Sequence, residues 1–174
     1  TCALPILRGT PLLVQIFLIY FALPVLTGIK MNPFVAAIAA FLAPHEGLRT
    51  KAYPDPAIPT LATICYGETQ GVKFGDVKTK QQCMDMLKER IPDYLNPVDE
   101  MMPSLPDNRR IAYTDFAYNV GVATLKKSRI PALEKQGKWQ EACNELKRYV
   151  YVGGKKMNGL VKRREEEAKL CLNG

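Results

Sequence analysis

The chain has 174 residues, 47% of them hydrophobic, with 24 Lys and Arg against 17 Asp and Glu and a formal net charge of +7. That length accommodates one well-packed domain with an appendage. No two of the five cysteines form a CxxC pair and His45 is the only histidine, which argues against a structural zinc site and leaves His45 as the sole imidazole for any Cys–His pair. Arg8 and Lys30 supply two of the positive charges, so the stretch from Glu46 onward carries +5. Such a surface suits a polyanion, whether nucleic acid, anionic lipid or a cell wall rich in carboxylates and phosphates, and charge alone does not choose among them.

The chain begins with an apolar region. Pro11 to Ile29 (PLLVQIFLIYFALPVLTGI) holds no charge and is near the length needed to cross a hydrocarbon core. Pro24 within it would kink a helix, which membrane spans tolerate better than other helices. Phe34 to Ala43 (FVAAIAAFLA) is too short to span alone and reads as a weak anchor, a signal-like segment or a buried helix opening the domain. We therefore place a boundary between a hydrophobic segment, 1–43, and a domain, 44–174. Tyr53 to Phe74 carries Pro54, Pro56, Pro59, Gly67 and Gly71 among β-favouring Thr63, Ile64 and Tyr66, the signature of a small strand-and-turn region.

Helical patterns follow. Thr79–Glu89 opens on a threonine cap and puts Cys83, Met86 and Leu87 on one face. Asp107–Tyr118 starts on a capping aspartate, and Lys138–Tyr149 and Leu160–Leu172 read as closing helices. The expected class is α+β, dominated by helices, with a small sheet near its start.

Three polar residues stand close together near that start: Glu46 after an apolar helix, Asp55 in a proline-rich turn, and Thr63 opening TICYGET. Glycoside cleavage uses two carboxyls, one protonated to protonate the leaving oxygen and one ionised to activate water or stabilise the cationic sugar. A carboxyl against apolar groups holds its proton more readily than one in a hydrated turn. This contrast assigns the acid to Glu46 and the anion to Asp55. The alternative is a solvated glutamate at a helix end and an aspartate satisfying turn amides.

The segments HEGLRTKAYPDP and TICYGET, then PDNRRIAYTDFAYNVGVATLKKS, GKWQEACNEL and YVGGKKMNGLVKRREEEAKLCL, resemble in order the phage-type lysozymes of glycoside hydrolase family 24. The resemblance runs from about Pro44 to Leu172. It implies a lysozyme-like fold, a small β lobe and a larger helical lobe, here preceded by one or more hydrophobic N-terminal helices. It further implies hydrolysis of the β-1,4 bonds between N-acetylmuramic acid and N-acetylglucosamine in peptidoglycan, leading to host lysis. Glu46, Asp55 and Thr63 match the family's Glu, Asp and Thr. Thr63 lies eight residues after Asp55 rather than about six, which keeps Thr60 as a rival, and Glu68 stands where many members have His. Asn119 and Tyr66 are candidate sugar contacts. Tyr149, Tyr151 and Trp139 offer rings for stacking, with core packing the simpler reading for Trp139. Arg163 and Arg164 either meet wall carboxylates or pair with the glutamates that follow them.

The resemblance calls for no cofactor, no metal and no nucleic acid, and for a monomer acting on peptidoglycan in the periplasm or after secretion. Cys65 on a strand and Cys83 on the next helix are expected to pair, as are Cys143 and Cys171 on the closing helices, leaving Cys2 free. The alternatives are a wall-binding relative without catalysis, or a permease fragment carrying this domain as cargo. The last arises because Leu7–Phe41 resembles a transmembrane stretch of amino-acid ABC transporter permeases. It makes a chimeric reading frame the expected account of residues 1–43, against a signal-anchor-release endolysin tethered to the inner membrane through residues 11–43.

Overall fold

The computed structural model describes residues 32–173 other than 57. The chain divides into two compact units, Thr1–Pro33 and Phe34–Gly174, and the second carries everything below. Cys2, the apolar span Pro11–Ile29 and most of the permease-like stretch lie outside the described residues. Among the described residues, no helix is long and apolar enough to cross a membrane.

Helix α1, Pro33–Glu46, buries Ile38, Ala39 and Leu42 completely. These residues pack with Ile64, Tyr66, Leu87, Ile91 and Leu95 in one of two apolar clusters. Burying Ile38 and Leu42 is worth about 1.5–3 kcal/mol each. Of the three readings open for Phe34–Ala43, the structure displays the buried helix of the domain, and that helix runs unbroken across residues 43 and 44.

The small lobe is an antiparallel pair, β1 (Arg49–Pro54) and β2 (Ala62–Cys65), with Tyr53 opposite Thr63 and Arg49 opposite Cys65. Strand β1 starts earlier than the strand-and-turn pattern suggests. Its first half, RTK, is exposed or half-buried and polar, so it shows no apolar alternation. The segment Asp76–Lys78 runs along its free edge, where Ala52 N–H donates to Asp76 at 2.9 Å and Lys78 N–H donates to Thr50 at 2.9 Å.

The helical lobe begins with α2, Lys80–Arg90, whose cap is Thr79 as expected. The Thr79 hydroxyl accepts from Gln82 N–H at 3.2 Å, and the Gln82 side chain accepts from Thr79 N–H at 2.8 Å. Such a reciprocal cap is worth roughly 1 kcal/mol. Helix α3, Pro92–Met101, follows, with Leu95 and Val98 buried. Helix α4, Asp107–Val120, is capped by Pro106; Asp107 sits inside the first turn, where its charge suits the helix dipole, rather than at the capping position the sequence suggests. Gly121, at φ 87°, stops α4, a backbone conformation closed to most side chains.

The short helices α5 (Val122–Lys127), α6 (Ile130–Lys135) and α7 (Trp139–Glu145) lead through a 3-10 turn, Leu146–Arg148, to α8, Asn158–Leu172. Before α8 a two-residue hairpin, β3 (Tyr151–Val152) and β4 (Lys155–Lys156), turns on Gly153 and Gly154, both at positive φ. The second apolar cluster joins Val98, Tyr113, Phe116, Leu125, Ile130, Leu146 and Ala168. Disulfides Cys65–Cys83 and Cys143–Cys171 are both present, tying β2 to α2 and α7 to α8. By the loop-entropy estimate each contributes roughly 3 kcal/mol.

Candidate active site

Glu46 is the last residue of α1, and Gly47 at φ 68° turns the chain straight into the small lobe. Its side chain is 19% exposed. One carboxylate oxygen, Oε1, accepts from Arg163 Nη1 at 2.6 Å. The other has no hydrogen-bond partner among the described residues. The carboxyl is thus fixed on one side and open on the other.

Asp55 follows β1 and holds the turn to β2. Its N–H donates to Leu61 at 2.9 Å, and its Oδ1 accepts from Ile58 N–H at 3.0 Å. This is the turn-capping role an aspartate can play, and it fixes the carboxylate at the mouth of the small lobe. Thr63 lies one turn of chain later on β2, is only 2% exposed, and its hydroxyl has no hydrogen-bond partner among the described residues. A buried hydroxyl without a partner is costly, and the usual remedy is a water or ligand oxygen. Thr60, its rival, is exposed in the turn. The extended turn of Asp55–Leu61 therefore leaves Thr63, not Thr60, seated in the strand.

Arg163 is the pivot that sequence reading left ambiguous. It lies on α8 and is 4% exposed. Its Nε and Nη2 grip both oxygens of Asp115 at 3.0 and 2.9 Å, while Nη1 reaches Glu46. Burial by itself would lower the arginine's pKa, but the charges of Asp115 and Glu46 carry it well above its ordinary value. Arg163 and Arg164 pair with Glu167, four and three residues on, so the local-pair reading of KRREEE is the one the structure displays. The pairs are buried, however, which a charged run does not announce. Asp115 carried no assigned role in the sequence. Its one signal was a carboxylate embedded among residues that bury, Tyr113, Phe116 and Ala117.

The candidate sugar contacts are placed differently. Asn119 ends α4 and its Oδ1 accepts from Arg164 Nη2, so its carbonyl is engaged within the protein. Tyr66 is 8% exposed and its ring belongs to the α1 cluster, while its carbonyl accepts from Tyr118 at 2.8 Å. Burial, and then the nearby Glu46 charge, push the Tyr118 hydroxyl up, so it stays a neutral donor. Trp139 packs on the second cluster beneath Arg109, Tyr149 lies edge-on to Phe116 at 4.9 Å, and Tyr151 is exposed. Glu68 accepts from Thr69 and Gln70 N–H and from Arg90 Nε at 3.1 Å, so its charge is compensated where it stands.

A model of the phage lysozyme family matches residues 43–167. The chain is 34% identical over 133 residues to a SAR-endolysin of Bacteriophage PS119, a match covering 74% of this chain and 77% of that one. It is 37% identical over 143 residues to a SAR-endolysin of Pseudomonas phage phiKMV, covering 79% and 88%. Among solved structures it is similar to the active form of the P1 phage endolysin, with a TM-score of 0.70, 27% identity and 95% of both chains covered.

Proposed function

This chain belongs to the phage lysozyme family, and from that premise we propose that Glu46, Asp55 and Thr63 are the groups with which it cuts glycan strands. It is an endolysin, a muramidase-type glycoside hydrolase acting on peptidoglycan. The bond is the β-1,4 link from N-acetylmuramic acid to N-acetylglucosamine. The observation that carries the residue assignment is the half-tethered Glu46 carboxyl: Arg163 holds Oε1 at 2.6 Å, and the second oxygen is open. In its protonated form that oxygen donates to the departing glycosidic oxygen. The Asp55 carboxylate either activates water or stabilises the positive charge growing at the sugar. Thr63 supplies a hydroxyl that has no hydrogen-bond partner among the described residues and can orient a water or a sugar oxygen.

The test is chemical. Purified protein incubated with peptidoglycan releases new reducing ends, and those ends are N-acetylmuramic acid. Reducing ends on N-acetylglucosamine, or wall binding without release, contradict the assignment.

Action in the periplasm or outside the cell follows from the SAR-endolysin relatives. Membrane tethering by the part of residues 11–43 that precedes α1 is the finer proposal, supported by the uncharged run Pro11–Ile29. The full chain then fractionates with membranes. Recovery in the aqueous fraction while the membrane potential is maintained contradicts tethering.

A further inference from the structure

Around Arg163 the fold collects more charge than the cleavage reaction uses. Two guanidiniums, Arg163 and Arg164, meet three carboxyls, Glu46, Asp115 and Glu167. Asp115 and Glu167 have no exposed side-chain surface, and Arg164 has none either. Both buried carboxyls converge on one atom: Arg163 Nε is 3.0 Å from Asp115 Oδ2 and 3.5 Å from Glu167 Oε1. Arg164 donates to the same Glu167 oxygen, to Asn119 and to the Tyr149 carbonyl. The second Glu167 oxygen, Oε2, is buried with no hydrogen-bond partner.

As a carboxylate, Glu167 would leave that acceptor unsatisfied in the interior and give the cluster one negative charge in excess. As a carboxylic acid, it turns Oε2 from an orphan acceptor into a donor, and the negative charge in excess is gone. The acceptor at hand is Asp115, which stands with Glu167 at the shared Arg163 Nε. Burial first, and Asp115 second, both favour the protonated form, against the pull of Arg164. Among the described residues, the charged groups paired with these two carboxyls are Arg163 and Arg164. The turn before α8 presents the Tyr149 carbonyl to Arg164, and His45 of α1 reaches the outward-facing Glu166 instead.

We propose that Glu167 is a positioning residue: it keeps a proton shared with Asp115 at neutral pH, and so fixes the charge with which Arg163 faces Glu46. The inference rests on Glu46 as the acid only for its consequence, since the shared proton stands on the cluster alone. The acid–carboxylate pair carries a single negative charge against the two guanidiniums, so Arg163 faces Glu46 as a cation with no excess of negative charge behind it. Were Glu167 ionised instead, the cluster would be neutral without Glu46, and Glu46 would hold its proton to higher pH.

Infrared difference spectra of the full chain at pH 7 test this directly. A protonated-carboxyl stretch is present in the wild type, survives Glu46→Gln, disappears in Glu167→Gln and shifts in Asp115→Asn, which alters its acceptor. Absence of the band in the wild type, its loss in Glu46→Gln, or its survival in a folded Glu167→Gln overturns the proposal. If Glu167→Gln does not fold, the other three spectra still decide. The pH–activity profile gives the second readout. Because glutamine mimics the protonated acid, the alkaline limb of Glu167→Gln stays within about half a pH unit of the wild type. A larger move toward low pH means the wild-type Glu167 is ionised. Should Glu46→Gln retain full activity, the acid assignment fails while the infrared result still judges the shared proton.

Discussion

Replacing Arg163 with methionine keeps a long side chain and removes four hydrogen bonds from the guanidinium, one to Glu46 and three to Asp115. Asp115, with no exposed side-chain surface, is then left in the interior without its cation. Breaking a buried pair from one side costs about 3–5 kcal/mol, chiefly because the remaining charge is uncompensated. For a domain of this size each kcal/mol lowers the melting temperature by about 3 °C, so a fall of about 10–15 °C is expected. Urea unfolding gives the free energy, with an unchanged slope as the sign that only stability moved. Adding Asp115→Asn removes the stranded charge and restores at least about half of the loss. The reasoning fails if Arg163→Met alone costs less than about 1 kcal/mol, or if the double variant is no more stable than the single. Activity falls in the single variant as well, because Glu46 loses the contact that fixes it.

Thr63→Ala lowers wall-clearing activity more than Thr60→Ala does, and the reverse order would place the catalytic hydroxyl in the turn. Replacing Cys65 and Cys83 together by alanine costs roughly 3 kcal/mol in unfolding experiments, and an unchanged melting curve would show that the bridge constrains nothing. Glu167 bears on stability with a definite sign. Burial holds its carboxyl in the folded chain well above the ordinary glutamate value of about 4.5, so the native state binds the extra proton and stability is lost as pH climbs from about 4.5 toward the native value. Glu167→Gln has no such loss, so its stability relative to the wild type grows with pH, by at most about 1.4 kcal/mol per pH unit. A pH-independent difference would refute the linkage.

Much of this architecture was legible because local chemistry announces itself. The Thr79–Gln82 cap, the cysteine positions and the apolar spacing of Ile38, Ala39 and Leu42 each leave a mark in the sequence. Helix α3 left a misleading one. It contains Pro92 and Pro97, residues that ordinarily interrupt helices, yet Pro92 occupies the first turn, where its missing N–H costs nothing, and Leu95 and Val98 supply the burial. The hairpin before α8 is only two residues per strand, too short for any periodicity. Of the site, the residue types that do chemistry were readable near one another along the chain. The arginine that holds Glu46 was not, because it lies 117 residues away and its partners are chosen by the packing of α8 against α4. Asn119 illustrates the same limit: a side chain that reads as a sugar ligand is occupied by Arg164, a contact only the tertiary fold creates.

The central claim is that one carboxyl, Glu46, delivers the proton that breaks the glycosidic bond. Glu46→Gln keeps the shape and its contact with Arg163 but has no carboxylic proton to give. Its turbidity-clearing rate on Gram-negative wall suspensions, measured beside circular dichroism and the melting temperature, tests the claim most directly. The account predicts a fall of at least about 100-fold in a protein that remains folded. Clearing at close to the wild-type rate by a folded Glu46→Gln would contradict it.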